Sequence, residues 1–252
     1  MDNYLSSVKN GCRLLKIFLN SPKELGVTDL SKRLQLSKGA VHKLLITLES
    51  EGLIQQNPEN KLYSLGYTLL ELGNQVLKNH NLAELTRPYL QELARNTKEL
   101  VCLCILDGKD AIYVDKIDSQ HPIRFNVDVY RRFPLYATSA ARSILAYQSE
   151  EFIREILSRG IHSYTSQTIT DPLHMRKRLE DIRERGYEIS SNMRNEGVTG
   201  IAAPIFDASA RVIASISLMA PTDRMNTIKE QAIDHVIHTT KAISHKLGYS
   251  DT

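Results

Sequence analysis

The chain has 252 residues, of which 42% are apolar and 24% charged, with a formal net charge of +3. That balance excludes wholesale disorder and leaves room for one or two domains with a real core. All of the positive excess lies in residues 1–80, which carry ten Lys/Arg against seven Asp/Glu, whereas residues 81–252 carry 22 of each. This is the charge asymmetry of a nucleic-acid-facing end joined to a neutral body. The start, Met1-Asp2-Asn3-Tyr4, has no basic flank and no apolar core, so no secretory signal is expected. No apolar run reaches the roughly 18 residues of a membrane span, so no membrane partner is expected. Three scattered cysteines, Cys12, Cys102 and Cys104, make no disulfide framework and point to a reducing cytoplasm.

The first third reads as helices followed by a hairpin. Residues 4–20 place Val8, Cys12, Leu15 and Leu19 on one stripe, an amphipathic helix that Pro22 stops. Thr28 caps a short second helix, Asp29 to Leu34. Ser37 caps a third helix, which runs to about Glu51 and ends at Gly52. Strands at 53–56 and 62–65 flank the turn residues Asn57-Pro58-Glu59-Asn60. A linking helix follows from Tyr67 to Lys78, with Leu69, Leu72 and Val76 in register. Beyond it, strands at 100–106 and 111–117 enclose the turn Asp107-Gly108-Lys109-Asp110. Helices are expected at 139–147, 150–158 and 172–185, the last opened by Asp171-Pro172 and closed by Gly186. Strands at 187–191, 198–206 and 211–219 precede a final helix, Thr227 to Leu247; the apolar stretch Gly200–Pro221, broken by Asp207 and Arg211, reads as a hairpin. The class is α+β with an antiparallel sheet.

Chemistry concentrates in residues 27–45. A short helix, a tight turn and a longer helix with a projecting N-terminus make a helix-turn-helix, whose second helix enters the DNA major groove. Val41, Leu44, Leu45 and Leu48 form its inner stripe. Ser37, Lys38, Gly39, His42 and Lys43 occupy the first two turns of the outer face, where base edges are read, and Thr47 flanks them. Lys38 and Lys43 suit phosphates or guanine acceptors, and Gly39 lets the backbone approach closely. Ile46 on the same face either touches a thymine methyl or is a tolerated surface residue. The hairpin that follows reads as a wing, with Lys61 beside its tip for a phosphate.

The run Ser37-Lys38-Gly39-Ala40-Val41-His42-Lys43-Leu44-Leu45 with Leu48-Glu49-Ser50-Glu51-Gly52-Leu53 resembles the recognition helix of IclR-family bacterial transcription factors. Pro134–Ser139, Ile182–Tyr187 and Gly197–Asp207 continue the resemblance in the family's order and spacing, over nearly the whole chain. It implies a winged helix-turn-helix domain (1–66), a linker helix (67–80) and a C-terminal GAF-like α+β effector-binding domain (81–252). It also implies a homodimer or tetramer bound to a palindromic double-stranded operator. The sequence has no Gly-x-Gly-x-x-Gly after a strand, no P-loop and no Gly-x-Ser-x-Gly elbow, so no catalytic residue, metal or cofactor is expected; the alternative reading is a winged-helix protein-interaction module or a metabolite-binding enzyme without a DNA role.

Thr138 or Ser139 caps the helix whose first N–H groups belong to Ala140, Ala141 and Arg142, and Arg131 and Arg132 precede it. The resemblance places the effector pocket there and implies Ala140, Ala141, Ser190, Gly200, Ser217 and Met219 as its lining. The chain departs from the family pattern at several of these places. Ala141-Arg142 stands for a Gly-Lys pair, Ser190-Ser191-Asn192-Met193 for an acidic run, Gly200 for a cysteine and Met219 for a serine. Gly39-Ala40 replaces a Ser-Thr pair in the recognition helix. Fewer carboxylates and an added arginine favour an anionic effector, a carboxylate whose apolar body meets Met193 and Met219. Histidines 235, 238 and 245 with Asp234 on the last helix, and Cys102 with Cys104 on one strand face, are set aside as a polar helix face and buried thiols.

Overall fold

The computed structural model describes residues 4–21, 24–79 and 81–250, with the backbone alone at 20, 74, 76–79 and 81. Pro22, and the side chain of Val76, lie outside the described residues. The chain divides into two compact units, Met1–Asn81 and Leu82–Thr252.

The first unit opens with α1 (Ser6–Ile17) and a 3₁₀ turn (Phe18–Asn20), followed by α2 (Val27–Leu34) and α3 (Lys38–Ser50). The strands β1 (Ile54–Gln56) and β2 (Tyr63–Leu65) and the helix α4 (Thr68–Asn79) complete it. Its core gathers Leu14, Leu30, Val41, Leu45, Ile54 and Tyr63 from every layer but α4. Most of the expected stripe of α1 faces outward: Val8 and Leu19 are 59% and 70% exposed and Cys12 is exposed as well, while Leu15 is half-buried against the core. The inward face is Gly11 and Leu14, continued by Phe18. Gly11 faces α3, where a Cβ would stand in ordinary contact with Leu48 at 3.9 Å. The second helix begins at Val27 with Gly26 at its cap position, so Thr28 lies inside the first turn. Its start is set by backbone pairing of Leu25 with Tyr63 immediately upstream.

Ser37 caps α3 as expected, its hydroxyl accepting from the Ala40 N–H at 3.2 Å. Gly52, at φ +66°, turns the chain out of α3 into β1. The strands β1 and β2 pair antiparallel, Ile54 opposite Leu65 and Gln56 opposite Tyr63. Between them the turn is held by side chains: Asn57 Oδ1 accepts from the Glu59 N–H and Asn60 Oδ1 from the Leu62 N–H. The Glu24 carboxylate accepts from both asparagine amides, at 3.1 and 2.8 Å.

The second unit starts with α5 (Asn81–Thr97), where no element is expected from sequence. Pro88 sits inside that helix and hides its continuity, although Leu90, Leu93 and Ala94 are buried at helical spacing. The strands are β3 (Leu100–Asp107), β4 (Asp110–Ile117), β5 (Arg132–Pro134), β6 (Glu188–Ser191), β7 (Val198–Phe206) and β8 (Val212–Pro221). They form one antiparallel sheet in the order β5-β4-β3-β8-β7-β6. The helices α6 (Ser139–Leu145), α7 (Glu150–Ser158) and α8 (Pro172–Arg185) cover one face together with Cys102, Cys104 and Met219. The helices α5 and α9 (Thr222–Lys246) cover the other, with Val101, Leu103 and Ile216. Period two along each strand separates the two cores. The last helix starts five residues before the expected Thr227, directly at the end of β8. No helix among the described residues is long and apolar enough to cross a membrane.

Candidate nucleic-acid face and ligand cavity

The inner stripe of α3 is buried at Val41, Leu45 and Leu48 and half-buried at Leu44. The opposite face is open. Lys38, Gly39, His42, Lys43 and Thr47 are exposed, as is Ile46, while the Thr47 hydroxyl bonds back to the Lys43 carbonyl at 2.9 Å. Ser37 is exposed too, but its hydroxyl is engaged in the cap. Lys61 is exposed beside the wing turn, in left-handed backbone at φ +59°. A rigid helix thus presents two lysines, a histidine and bare backbone on one side, beside a pinned hairpin.

In the second unit a cavity of about 510 Å³ lies against the sheet face that α6 covers. Its floor is Tyr113, Ser190, Gly200 and Met219; Thr138 and Ser139 close one side. The chain segment 125–134 forms the opposite wall with Phe125, Val127, Asp128, Arg131, Arg132 and Phe133. Tyr164, Arg194, Asn195 and Val198 come from loops at the rim. Thr138 is the cap of α6, accepting from the Ala141 N–H at 3.2 Å.

Of the residues implied for the lining, Ser190, Gly200 and Met219 reach the cavity. Ala140, Ala141, Arg142, Met193 and Ser217 are buried behind it. Gly200 makes the seat of α6 possible, since a Cβ there would meet Ser139 Oγ at 2.7 Å and Met219 Cγ at 3.4 Å. Ser217 Oγ is buried without a hydrogen-bond partner among the described residues. Arg142 does not face a ligand. It is 1% exposed and donates to Glu188 Oε1 at 2.8 Å, to the Tyr136 carbonyl at 2.8 Å and to Met193 Sδ at 3.6 Å. Glu188, fully buried, also takes Arg178 and Arg185. The expected anion contact at Arg142 is therefore replaced by a buried ion cluster, and the cations at the cavity are Arg131, Arg132 and Arg194. Arg131 pairs with Asp128 at 3.6 Å, and Arg132 pairs with Asp107. Arg194 and Tyr164 escape the sequence reading because they lie in loops without periodicity. The only local signal was proximity to Met193.

The wall 125–134 is moored at its root. Ser119 Oγ and the Gln120 N–H donate to the Lys98 carbonyl, and Arg224 grips Glu99 at 2.6 and 2.8 Å while donating to the Ile123 carbonyl. Burial pushes the Tyr113 phenol up, and it pushes the thiols of Cys102 and Cys104 up as well, so all three stay neutral at pH 7. Among the described residues no group of three or more His, Cys, Asp or Glu gathers in a way that could hold a metal.

An exposed major-groove-type helix with a wing, on a chain that also folds an α+β unit around a small-molecule cavity, defines a ligand-responsive DNA-binding regulator. Residues 7–58 match the IclR helix-turn-helix domain, and residues 74–245 match the bacterial transcriptional regulator IclR C-terminal domain. The chain belongs to the IclR family of bacterial transcriptional regulators, whose members pair a DNA-binding helix-turn-helix domain with an effector-binding C-terminal domain. It is a regulator and not an enzyme, as its relatives are. It is 35% identical to the HTH-type transcriptional regulator KdgR of Escherichia coli, over 94% of this chain and 93% of that protein. It is 30% identical to the transcriptional repressor IclR of the same organism, over 88% and 82%. An IclR homologue from Microbacterium hydrocarbonoxydans, solved with 4-hydroxybenzoate, shares the fold with a TM-score of 0.83 and 22% identity, covering 97% of this chain and all of that one.

Proposed function

We propose that residues 1–66 grip a palindromic operator, that residues 67–80 link, and that residues 81–252 sense a small carboxylate which resets operator affinity. One observation carries the first part: α3 buries one stripe in the core while Lys38, Gly39, His42 and Lys43 stand exposed on the other. In such a helix these positions meet base edges and phosphates, with Lys61 on the wing adding a backbone contact. Self-association is supported by apolar side chains the first unit leaves in water, namely Tyr4, Leu5, Val8 and Leu19 before the wing and Tyr67, Leu70 and Leu72 after it. A two-fold pair of recognition helices calls for a two-fold operator.

The arginine-rimmed cavity supports an anionic effector, and the 4-hydroxybenzoate bound by the Microbacterium homologue supports a carboxylate in particular. Repression is supported by the E. coli relative named as a repressor. Action in the cytoplasm follows from a DNA partner. The effector acts by population shift, so it must bind the operator-competent and operator-incompetent arrangements with different affinity. The test is selection of genomic fragments by the full chain, followed by titration of the selected site with and without each of a panel of small acids. An acid that changes operator affinity at least several-fold supports the proposal. Selection of no sequence, or a site indifferent to every acid, contradicts it.

A further inference from the structure

We infer that Arg194, held against Tyr164, is the residue that makes the cavity select a carboxylate over a neutral ligand of the same shape. The inference rests on the carboxylate reading above and names the side chain that enforces it. The Arg194 guanidinium lies 3.8 Å from the centroid of the Tyr164 ring, at the cavity rim. A cation over an aromatic face is attracted by the ring's quadrupole and spends none of its five N–H donors on the contact.

Those donors are unspent elsewhere as well. Among the described residues Arg194 makes no ion pair and no hydrogen bond, in contrast to its neighbours at the cavity. Arg131 and Arg132 are paired with Asp128 and Asp107, and Arg142 is locked to Glu188 behind the wall. A carboxylate arriving in the cavity therefore finds in Arg194 a guanidinium with no competing carboxylate among the described residues, its fork available for two parallel N–H···O bonds.

The two loops that supply the pair are built before any ligand arrives. Thr165 Oγ1 donates to the Asn192 carbonyl at 2.6 Å, and Thr168 Oγ1 donates to the Met193 carbonyl at 2.7 Å. The Thr168 hydroxyl also accepts from the Tyr164 N–H at 3.0 Å. On the other side Asn192 Oδ1 accepts from the Gly197 N–H at 2.7 Å, and the Asn192 N–H donates to the Val198 carbonyl at 2.9 Å. Both the arginine and its aromatic rest are thus fixed by hydrogen bonds in the residues next to them. Preorganisation of this kind lowers the entropy lost on binding. Apolar side chains of the lining, Phe125, Val127, Phe133, Val198 and Met219, can take the body of the ligand, and the one carboxylate of the lining among the described residues, Asp128, is paired with Arg131.

The test uses the full chain and matched pairs: 4-hydroxybenzoate with 4-hydroxybenzamide, and a set of short hydroxy and oxo acids each with its amide. Binding is read by calorimetry and thermal shift. At least one acid is expected to bind the parent protein more tightly than its amide. Arg194→Gln is expected to weaken that acid by about 10- to 100-fold, the scale of a lost charged hydrogen-bonded pair, and to leave the amide unchanged. Arg194→Lys, which keeps the charge and loses the fork, falls between. Unaltered amide binding shows that the variant cavity is folded. Should Arg194→Gln bind the preferred acid as the parent does, the assignment to Arg194 is wrong while the carboxylate reading stands. Should no acid in the panel outbind its amide, the carboxylate reading itself fails and the assignment falls with it.

Discussion

Two buried positions show how single residues set up the cavity wall. Glu188 sits among Arg142, Arg178 and Arg185 with no exposure to water, so its charge is balanced only by those partners. Removing Glu188 leaves the buried Arg142 without its carboxylate, which costs about 3–5 kcal/mol, while Arg178 and Arg185 are partly exposed and can turn to water. Glu188→Ala is therefore expected to lower unfolding free energy by that amount in urea titration, and a loss under 1 kcal/mol would show that the cluster is not load-carrying. Gly200 is the second position. A methyl there comes within 2.7 Å of Ser139 Oγ and 3.4 Å of Met219 Cγ, so Gly200→Ala must turn the Ser139 hydroxyl away and crowd the seat of α6. The expected cost is about 1–3 kcal/mol of overpacking, together with weaker binding of whichever acid the parent prefers. Stability and affinity that are both unchanged would place the α6 start farther from β7.

At the scale of elements, caps were the most legible feature of the sequence. Asp171-Pro172 and Gly186 bound α8 at the positions they announce, and Ser37 caps α3. The Asp171 carboxylate accepts from the His174 N–H at 2.8 Å, and that bond holds its carboxyl below the usual aspartate range. A depressed folded-state pKa means the contribution is complete above the ordinary aspartate pKa and is lost as pH falls through the lowered one. Asp171→Asn keeps a cap that does not titrate, so melting curves of the variant should depend less on pH below about 5. Parallel curves for parent and variant would mean the cap carries no proton linkage. Other elements were hidden for physical reasons. Pro88 interrupts the pattern of α5 without breaking the helix, and β5 is three residues of edge strand whose pairing with β4 is non-local. The face of α1 was misread in part, because apolar residues lie on more than one side of the helix: Leu15 of the expected stripe packs against the core with Leu14 and Phe18, while Val8 and Leu19 do not. Ser190, Gly200 and Met219 of the cavity's floor followed from the family resemblance, whereas Tyr113 was not foreseen and Ser217 lies behind the floor. The cavity's rim did not follow, since Tyr164 and Arg194 meet only through loops that no periodicity describes.

For the whole molecule, charge and motif order made the architecture readable early: a basic first third with a helix-turn-helix and wing, then a neutral body with an antiparallel sheet. The structure adds that the lysines of α3 are exposed and that the arginine first assigned to the ligand is buried in an ion cluster. The central claim is that the exposed face of α3 is what holds DNA. The most direct measurement is fluorescence anisotropy of the full chain on its selected operator, across a salt series, for the parent and for Lys38→Ala and Lys43→Ala. Affinity should fall by about 0.9 log units per log unit of salt for each phosphate neutralised, and losing a base-contacting lysine should cost about 1–3 kcal/mol. Operator affinity that is flat in salt and the same in both variants would contradict the account.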